Sequence, residues 1–123
     1  MLGDYYNAIN WAFLLNVRAS LSAPADAIAD FVLARRTRAD VLEICKKNLE
    51  SLKDSAETRA ERYWLLATMA EASIGLGDEP GSAQYLDQAT KVAPESWMPD
   101  STNEQLSKLR RYVADSPLRH LAA

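Results

Sequence analysis

Apolar residues in this chain recur at intervals of three and four, and no segment alternates apolar with polar for long. The pattern therefore predicts helices and no sheet. A first helix is expected from Asp4, a good N-cap after Gly3, to about Ser20. Tyr6, Ile9, Phe13 and Val17 form one stripe on it, and Ala8, Trp11, Ala12 and Leu15 form a second. A helix apolar on two sides is expected to pack on two sides. Ser22-Ala23-Pro24 opens the second helix, with proline in the first turn, where its missing N–H costs nothing. Ile28, Phe31, Arg35, Arg38/Ala39, Leu42, Cys45, Leu49 and Leu52 continue one stripe, and no Gly or Pro interrupts it. A single helix from about residue 24 to 53 is favoured over a break near Arg35-Arg36-Thr37-Arg38. The arginine segment would then be a solvated stretch beyond the core.

Asp54-Ser55-Ala56-Glu57 has the spacing of a capping box and announces the third helix. Its stripe is Tyr63, Leu66/Ala67, Ala70 and Ile74, and Gly75 and Gly77 end it. Asp78 caps the fourth helix, with Pro80 in its first turn and Ser82/Ala83, Leu86, Ala89 and Val92/Ala93 facing inward; Pro94 stops it. Trp97-Met98-Pro99 reads as an apolar connector. Ser101-Thr102-Asn103-Glu104 reads as the capping box of a fifth helix lined by Leu106, Leu109 and Tyr112/Val113, which Pro117 ends. Leu118 to Ala123 are expected to be a tail. Five antiparallel helices on short loops, with no dividing linker, make one all-α domain over residues 1–123, either a bundle or a helical-hairpin solenoid.

Composition narrows the chemistry. The chain has 123 residues and a net charge of −3, with one cysteine, Cys45, and one histidine, His120. One cysteine forms no disulfide within the chain. Two soft ligands fall short of the four that a structural zinc site needs, so neither metal nor cofactor is expected. The acidic balance disfavours nucleic acid. The longest candidate apolar run, Trp11 to Leu15, is far short of the roughly 20 residues of a membrane span, and the chain reads as cytoplasmic. Met1-Leu2 sits directly before a helix cap, an abrupt start that suits either a small protein or a domain of a longer one.

Helices three and four also fit a tetratricopeptide unit of about 34 residues. Ending that template at Pro94 puts Gly77-Asp78 at its turn, Ser82 and Ala89 at small positions, and Leu86 at a large one. Leu66 and Met69 take apolar positions in its first helix, and Ala70 takes the tight one, where two helix axes approach closely. Helices one and two would be a degenerate unit, and the fifth helix would cap the array.

Three segments resemble one family more particularly. Tyr6-x-x-Ile9-Asn10-x-Ala12-x-Leu14-Leu15 is similar to the Y-x-G-I-N-x-A-x-L-L run of the TRAFs-binding domain family, with Ala8 where that family usually has glycine. Tyr63-Trp64-x-x-Ala67-Thr68-x-Ala70-Glu71-Ala72, followed by Gly77-Asp78, resembles its Y-W-x-x-A-T-x-A-E-A…G-D run. Trp97, Ser101-Thr102 and Gln105-Leu106 resemble its closing W…S-T…Q-L segment. Residues 22–53 do not match closely. The resemblance implies a tetratricopeptide-like regulatory or protein-binding module of the kind found beside the kinase domain of stress-activated kinase kinase kinases and in bacterial proteins of largely unknown role. It does not imply that this chain binds a TRAF, and none of the kinase motifs is present.

Two sets of candidate residues follow. Asn10, among apolar neighbours, is read as a buried amide that meets Thr68 and Glu71 in a polar contact between the first and third helices; the other reading is ligand contact. Trp64, Ala67, Glu71 and Ile74 fall where tetratricopeptide grooves present side chains to a peptide. Tyr5, Tyr6, Trp11, Tyr63, Trp64 and Trp97 are read mainly as core. Arg35, Arg36 and Arg38, with Arg18 and Arg59, suggest a basic patch that grips a phosphate or an acidic partner, but a solvated face balanced by Asp30, Asp40 and Glu43 is favoured. Glu57 and Glu61 read as a charged surface, Cys45 as a small buried hydrophobe, and His120 as tail. Gly75-x-Gly77-x-x-x-Gly81 lacks the strand, spacing and Lys-Ser/Thr of a phosphate loop. The expected function is a non-catalytic protein-interaction or regulatory module for a protein or peptide partner. The alternative is a helical bundle that binds a small molecule or acts as an enzyme. Self-association into a homodimer through the long second helix or the aromatic surface is a third reading.

Overall fold

Buried positions in the long second helix step by four and three: Ala27, Phe31, Ala34, Arg38, Val41 and Cys45. That spacing keeps one face of a continuous helix against its neighbours over the whole length. The computed structural model describes residues 4–114. It contains five α-helices, α1 (Asp4–Ser20), α2 (Pro24–Ser51), α3 (Arg59–Gly75), α4 (Glu79–Val92) and α5 (Trp97–Ala114), with one 3-10 turn at Ala56–Thr58 and no strand among the described residues. The all-α reading holds, as does the unbroken second helix. Pro117, His120 and the tail lie outside the described residues.

Each of the first three helices packs along the next, whereas α5 leaves α4 almost at once, rests on α3 and reaches α1. Small residues set the close approaches. Ala12 and Ala34 are fully buried and, with Leu15, join α1 to α2. At the loop end of that hairpin Arg18 clamps Asp30 through two charge-assisted bonds of 2.7 and 2.8 Å. Ser82 and Ala89 are buried where α4 meets α3, and the Ser82 hydroxyl donates to the Ala70 carbonyl at 2.8 Å. The main core joins Tyr5 and Ile9 of α1, Val41 and Cys45 of α2, and Tyr63, Leu66 and Met69 of α3. Cys45 is fully buried, and desolvation pushes its thiol up to about 12. A second cluster, Ile74 with Leu106 and Leu109, seats α5. Phe13 and Tyr112 meet edge-on at 5.7 Å between ring centres and tie α5 to α1.

The α3–α4 turn follows from its residues. Gly77 adopts φ +82°, a left-handed conformation that glycine takes without strain, and its N–H donates to the Ile74 carbonyl at 3.0 Å. Asp78 then caps α4 by accepting from the Gly81 N–H at 3.0 Å.

Two helix starts differ from expectation. The capping box before α3 uses Ser55 and Thr58, not Asp54 and Glu57, because the Thr58 hydroxyl reaches back to the Ser55 N–H. The segment Trp97-Met98-Pro99 is the first turn of α5 and not a connector. Proline costs nothing there, and Met98 is buried in the main core. Nor is α1 covered on two sides throughout, since Trp11 and Leu14 remain about half exposed.

The arginine segment is corrected most. Arg38 is wholly buried, Arg35 is half-buried, and Arg18 is engaged with Asp30, so the five arginines form no common patch. Arg38 lies in the core because it occupies the buried position between Ala34 and Val41, whatever its charge. Its aliphatic stem lies across Gly75, where a built Cβ would overlap Arg38 Cδ and Nε. Gly75→Ala gains roughly 1 kcal/mol of helix propensity but forces a buried side chain to move, which costs about 1–3 kcal/mol. The expected result in urea denaturation is net destabilisation, with the loss relieved when Arg38 is also shortened to Ala.

Candidate functional site

Three helices enclose a cleft of about 210 Å³. From α1 come Tyr6, Ile9 and Asn10; from α3 come Trp64, Ala67, Thr68 and Glu71; from α5 come Ser101, Thr102 and Gln105. The spacings explain the convergence. On α3 the four residues fall at steps of three, one and three, which is one helical face. The other two helices each present one turn to it.

The α3–α5 wall is locked from beneath. The Tyr63 and Thr102 hydroxyls share a buried hydrogen bond. Trp64 meets Tyr63 edge-on at 5.0 Å and the Trp97 ring at 6.4 Å. Tyr6, 39% exposed, lines the cleft, and Trp97, 56% exposed, rests beside the lining residue Trp64. The aromatic residues thus divide: Tyr5 and Tyr63 are core, Trp64 is half-buried, and Tyr6, Trp11 and Trp97 are exposed.

Glu71 is the one carboxylate that lines this cleft. Burial pushes its carboxyl up to about 7, and the nearby Arg38 guanidinium and hydrogen bonding from Gln105 each oppose that rise. Its Oε2 is buried and has no hydrogen-bond partner among the described residues. Arg38 is similarly unpartnered at all three guanidinium nitrogens, and burial lowers its pKa to about 10 against the pull of Glu71. The two charges attract through space without a hydrogen bond between them. Asn16 and Ser73 add further buried polar groups that lack partners among the described residues.

The predicted residues separate cleanly. Trp64, Ala67 and Glu71 lie together in the cleft, and so do Asn10 and Thr68. Ile74 does not: it is 3% exposed and sealed beneath Leu106 and Leu109, because α5 crosses α3 at that point. Asn10 is exposed, not a buried amide, and the buried asparagine of α1 is Asn16. Asn16 continues the buried series Tyr5, Ile9 and Ala12, so residue spacing marked it where residue type did not. Gln105 and Ser101 belong to the closing segment of the resemblance, and nothing in their local pattern distinguishes a cleft position from an exposed helix face. Glu57 and Glu61 are exposed. Among the described residues no cluster of three or more His, Cys, Asp or Glu could hold a metal ion, and no helix is long and apolar enough to cross a membrane. Comparison with known families, curated proteins and solved structures finds no match to this chain.

Proposed function

We propose that this domain is a non-catalytic protein-interaction or regulatory module, built from tetratricopeptide-like hairpins, whose contact site is the cleft between α1, α3 and α5. One observation carries the reading. All ten residues that line the cleft belong to the three segments that resemble the TRAFs-binding domain family, although those segments lie far apart in the chain. A resemblance spread over surface or core at random would not gather in one concavity. Size and composition favour a protein segment over a small molecule. Pockets for drug-sized ligands run to roughly 300–1,000 Å³, whereas this one, at about 210 Å³, suits a single long side chain. Exposed aromatic residues beside a recess are a common form of interface hot spot. Rigid helices hold the contact residues in place before binding, which lowers the entropic cost of association.

The test is affinity capture from the cytoplasm of the native host, with wild type, Trp64→Ala and Glu71→Ala, each checked for folding by circular dichroism. A partner that is retained by the wild type, lost by both variants, and reproduced with purified components supports the cleft. Truncating a central aromatic hot spot costs about 2 kcal/mol or more, a loss of affinity near thirtyfold. Retention by all three chains places the site elsewhere, first on the exposed face of α2. A co-purifying small molecule with no protein would instead favour the ligand-binding bundle.

A further inference from the structure

The chemistry of the cleft specifies what kind of side chain enters it. We propose that it receives a lysine or arginine side chain of the partner, with the charged head on Glu71 and the aliphatic stem against Tyr6 and Trp64. This rests on the interaction reading above and names the group that is recognised.

Three observations converge. The first is an orphaned acceptor. Glu71 is buried at the cleft, and its Oε2 has no hydrogen-bond partner among the described residues. An ionised carboxylate accepts hydrogen bonds and donates none, so a ligand group that reaches it must be a donor. Ammonium and guanidinium are the strongest donors available, and such charge-assisted bonds are about twice as strong as neutral ones.

The second is charge. No basic side chain lines the cleft; its only ionisable members are Glu71 and the Tyr6 phenol. On α1 no charged residue stands between Asp4 and Arg18, and on α5 Asp100 and Glu104 lie on a separate face together with Lys108 and Arg111. Arg38 is positive but fully buried and is not part of the cleft wall. It opposes the rise that burial imposes on the Glu71 carboxyl. An acidic side chain would meet the Glu71 carboxylate, and the one cation near it, Arg38, is sealed from the cleft.

The third is the wall. Tyr6 and Trp64 offer aromatic surface, which attracts a cation through the ring quadrupole and also covers its methylene stem. The volume matches one long side chain.

The test uses the full chain, labelled with 15N, titrated with four probes: the Nα-acetyl methylamides of lysine, arginine, norleucine and glutamate. The Trp64 indole N–H and the Gln105 side-chain amide report on the cleft. Saturable shifts at both are expected with lysine or arginine in the millimolar range, and at least about fivefold weaker binding of norleucine and glutamate, equivalent to roughly 1 kcal/mol. Glu71→Gln should bring lysine and norleucine to the same affinity. Because that residue is buried, Asn10→Lys serves as a second variant at an exposed site. It should lower lysine affinity at least about fivefold by repulsion or occupancy, while Gln84→Lys, exposed on α4 and outside the cleft, stays within about twofold. Equal binding of norleucine or glutamate, unchanged lysine binding in a folded Glu71→Gln chain, or no saturable shift with any probe overturns the proposal. The parent reading fails separately. A Trp64-dependent partner whose contact segment needs no basic residue overturns the cation and keeps the interaction. Lysine probe bound at Trp64 with no Trp64-dependent partner does the reverse.

Discussion

Raising the pH from about 5 to about 8 is expected to destabilise this fold by up to about 3 kcal/mol, through Glu71 alone. The carboxyl titrates near 7 in the folded chain, against an ordinary value of 4.5, with burial as the main cause. The folded state therefore keeps a proton that the unfolded state releases. Where the folded state binds more protons, stability falls as pH rises, and here the fall runs from the ordinary value up through the folded one. The other shifted groups act outside that window. Asp30 is held low by Arg18 and matters only in acid. Tyr5 and Cys45 are both pushed to about 12, and Arg38 is lowered only to about 10. Urea denaturation at the two pH values checks the prediction, and Glu71→Gln should remove most of the dependence. A wild-type chain equally stable at both values would show that Glu71 is ionised and solvated in the folded state.

The same proton gives binding the opposite slope. A cation in the cleft engages the ionised form, so the apparent affinity for the lysine probe should rise about tenfold between about pH 6 and about pH 8, as the ionised fraction rises from roughly one-tenth to nine-tenths. The groups that face Glu71 are Arg38 from α2, Gln105 from α5 and the Tyr6 phenol from α1. Arg38 stays charged across this range, and the Gln105 amide carries no charge. Stability and affinity that move in opposite directions with one titration would tie both to Glu71.

The sequence made the helices legible because helical periodicity needs only local spacing. It made Trp64, Ala67, Thr68 and Glu71 legible as a group because they share a helix face. It failed where residue type and spacing disagreed. Arg38 sits on the buried series of α2 although its charge suggests a solvated position, and Asn16, which no motif singles out, sits on the buried series of α1. Spacing decided, since neither helix can turn one residue outward without breaking the stripe around it. Ile74 failed for a different reason. Its exposure depends on where α5 crosses, a contact between residues more than 30 positions apart that no local pattern encodes. The same crossing completes the cleft, so Ser101, Thr102 and Gln105 became interpretable only in three dimensions.

That dependence on α5 sets the last prediction. Leu106→Ala should cost about 2–5 kcal/mol, since the side chain is fully buried between Ile74 and Leu109 and its loss leaves a cavity. The cost should fall unevenly. α1–α2 and α3–α4 are each held by long helix contacts, while α5 is held chiefly by Leu106, Leu109, Met98 and the Thr102–Tyr63 bond, and barely touches α4 beyond the exposed Arg110–Glu79 pair. An exposed pair of that kind contributes about 1 kcal/mol at most. Hydrogen exchange should therefore show the amides of α5 opening first, with those of α1 to α4 still protected. Binding at the cleft should disappear together with α5, because three of its lining residues leave with the helix. Leu14→Ala, at a position 56% exposed on α1, should shift stability by no more than about 0.5 kcal/mol and leave binding intact. Uniform loss of protection in Leu106→Ala would mean that α5 unfolds only with the whole domain. The cleft would then be a rigid part of the core, not an element added across it, and affinity would follow global stability alone.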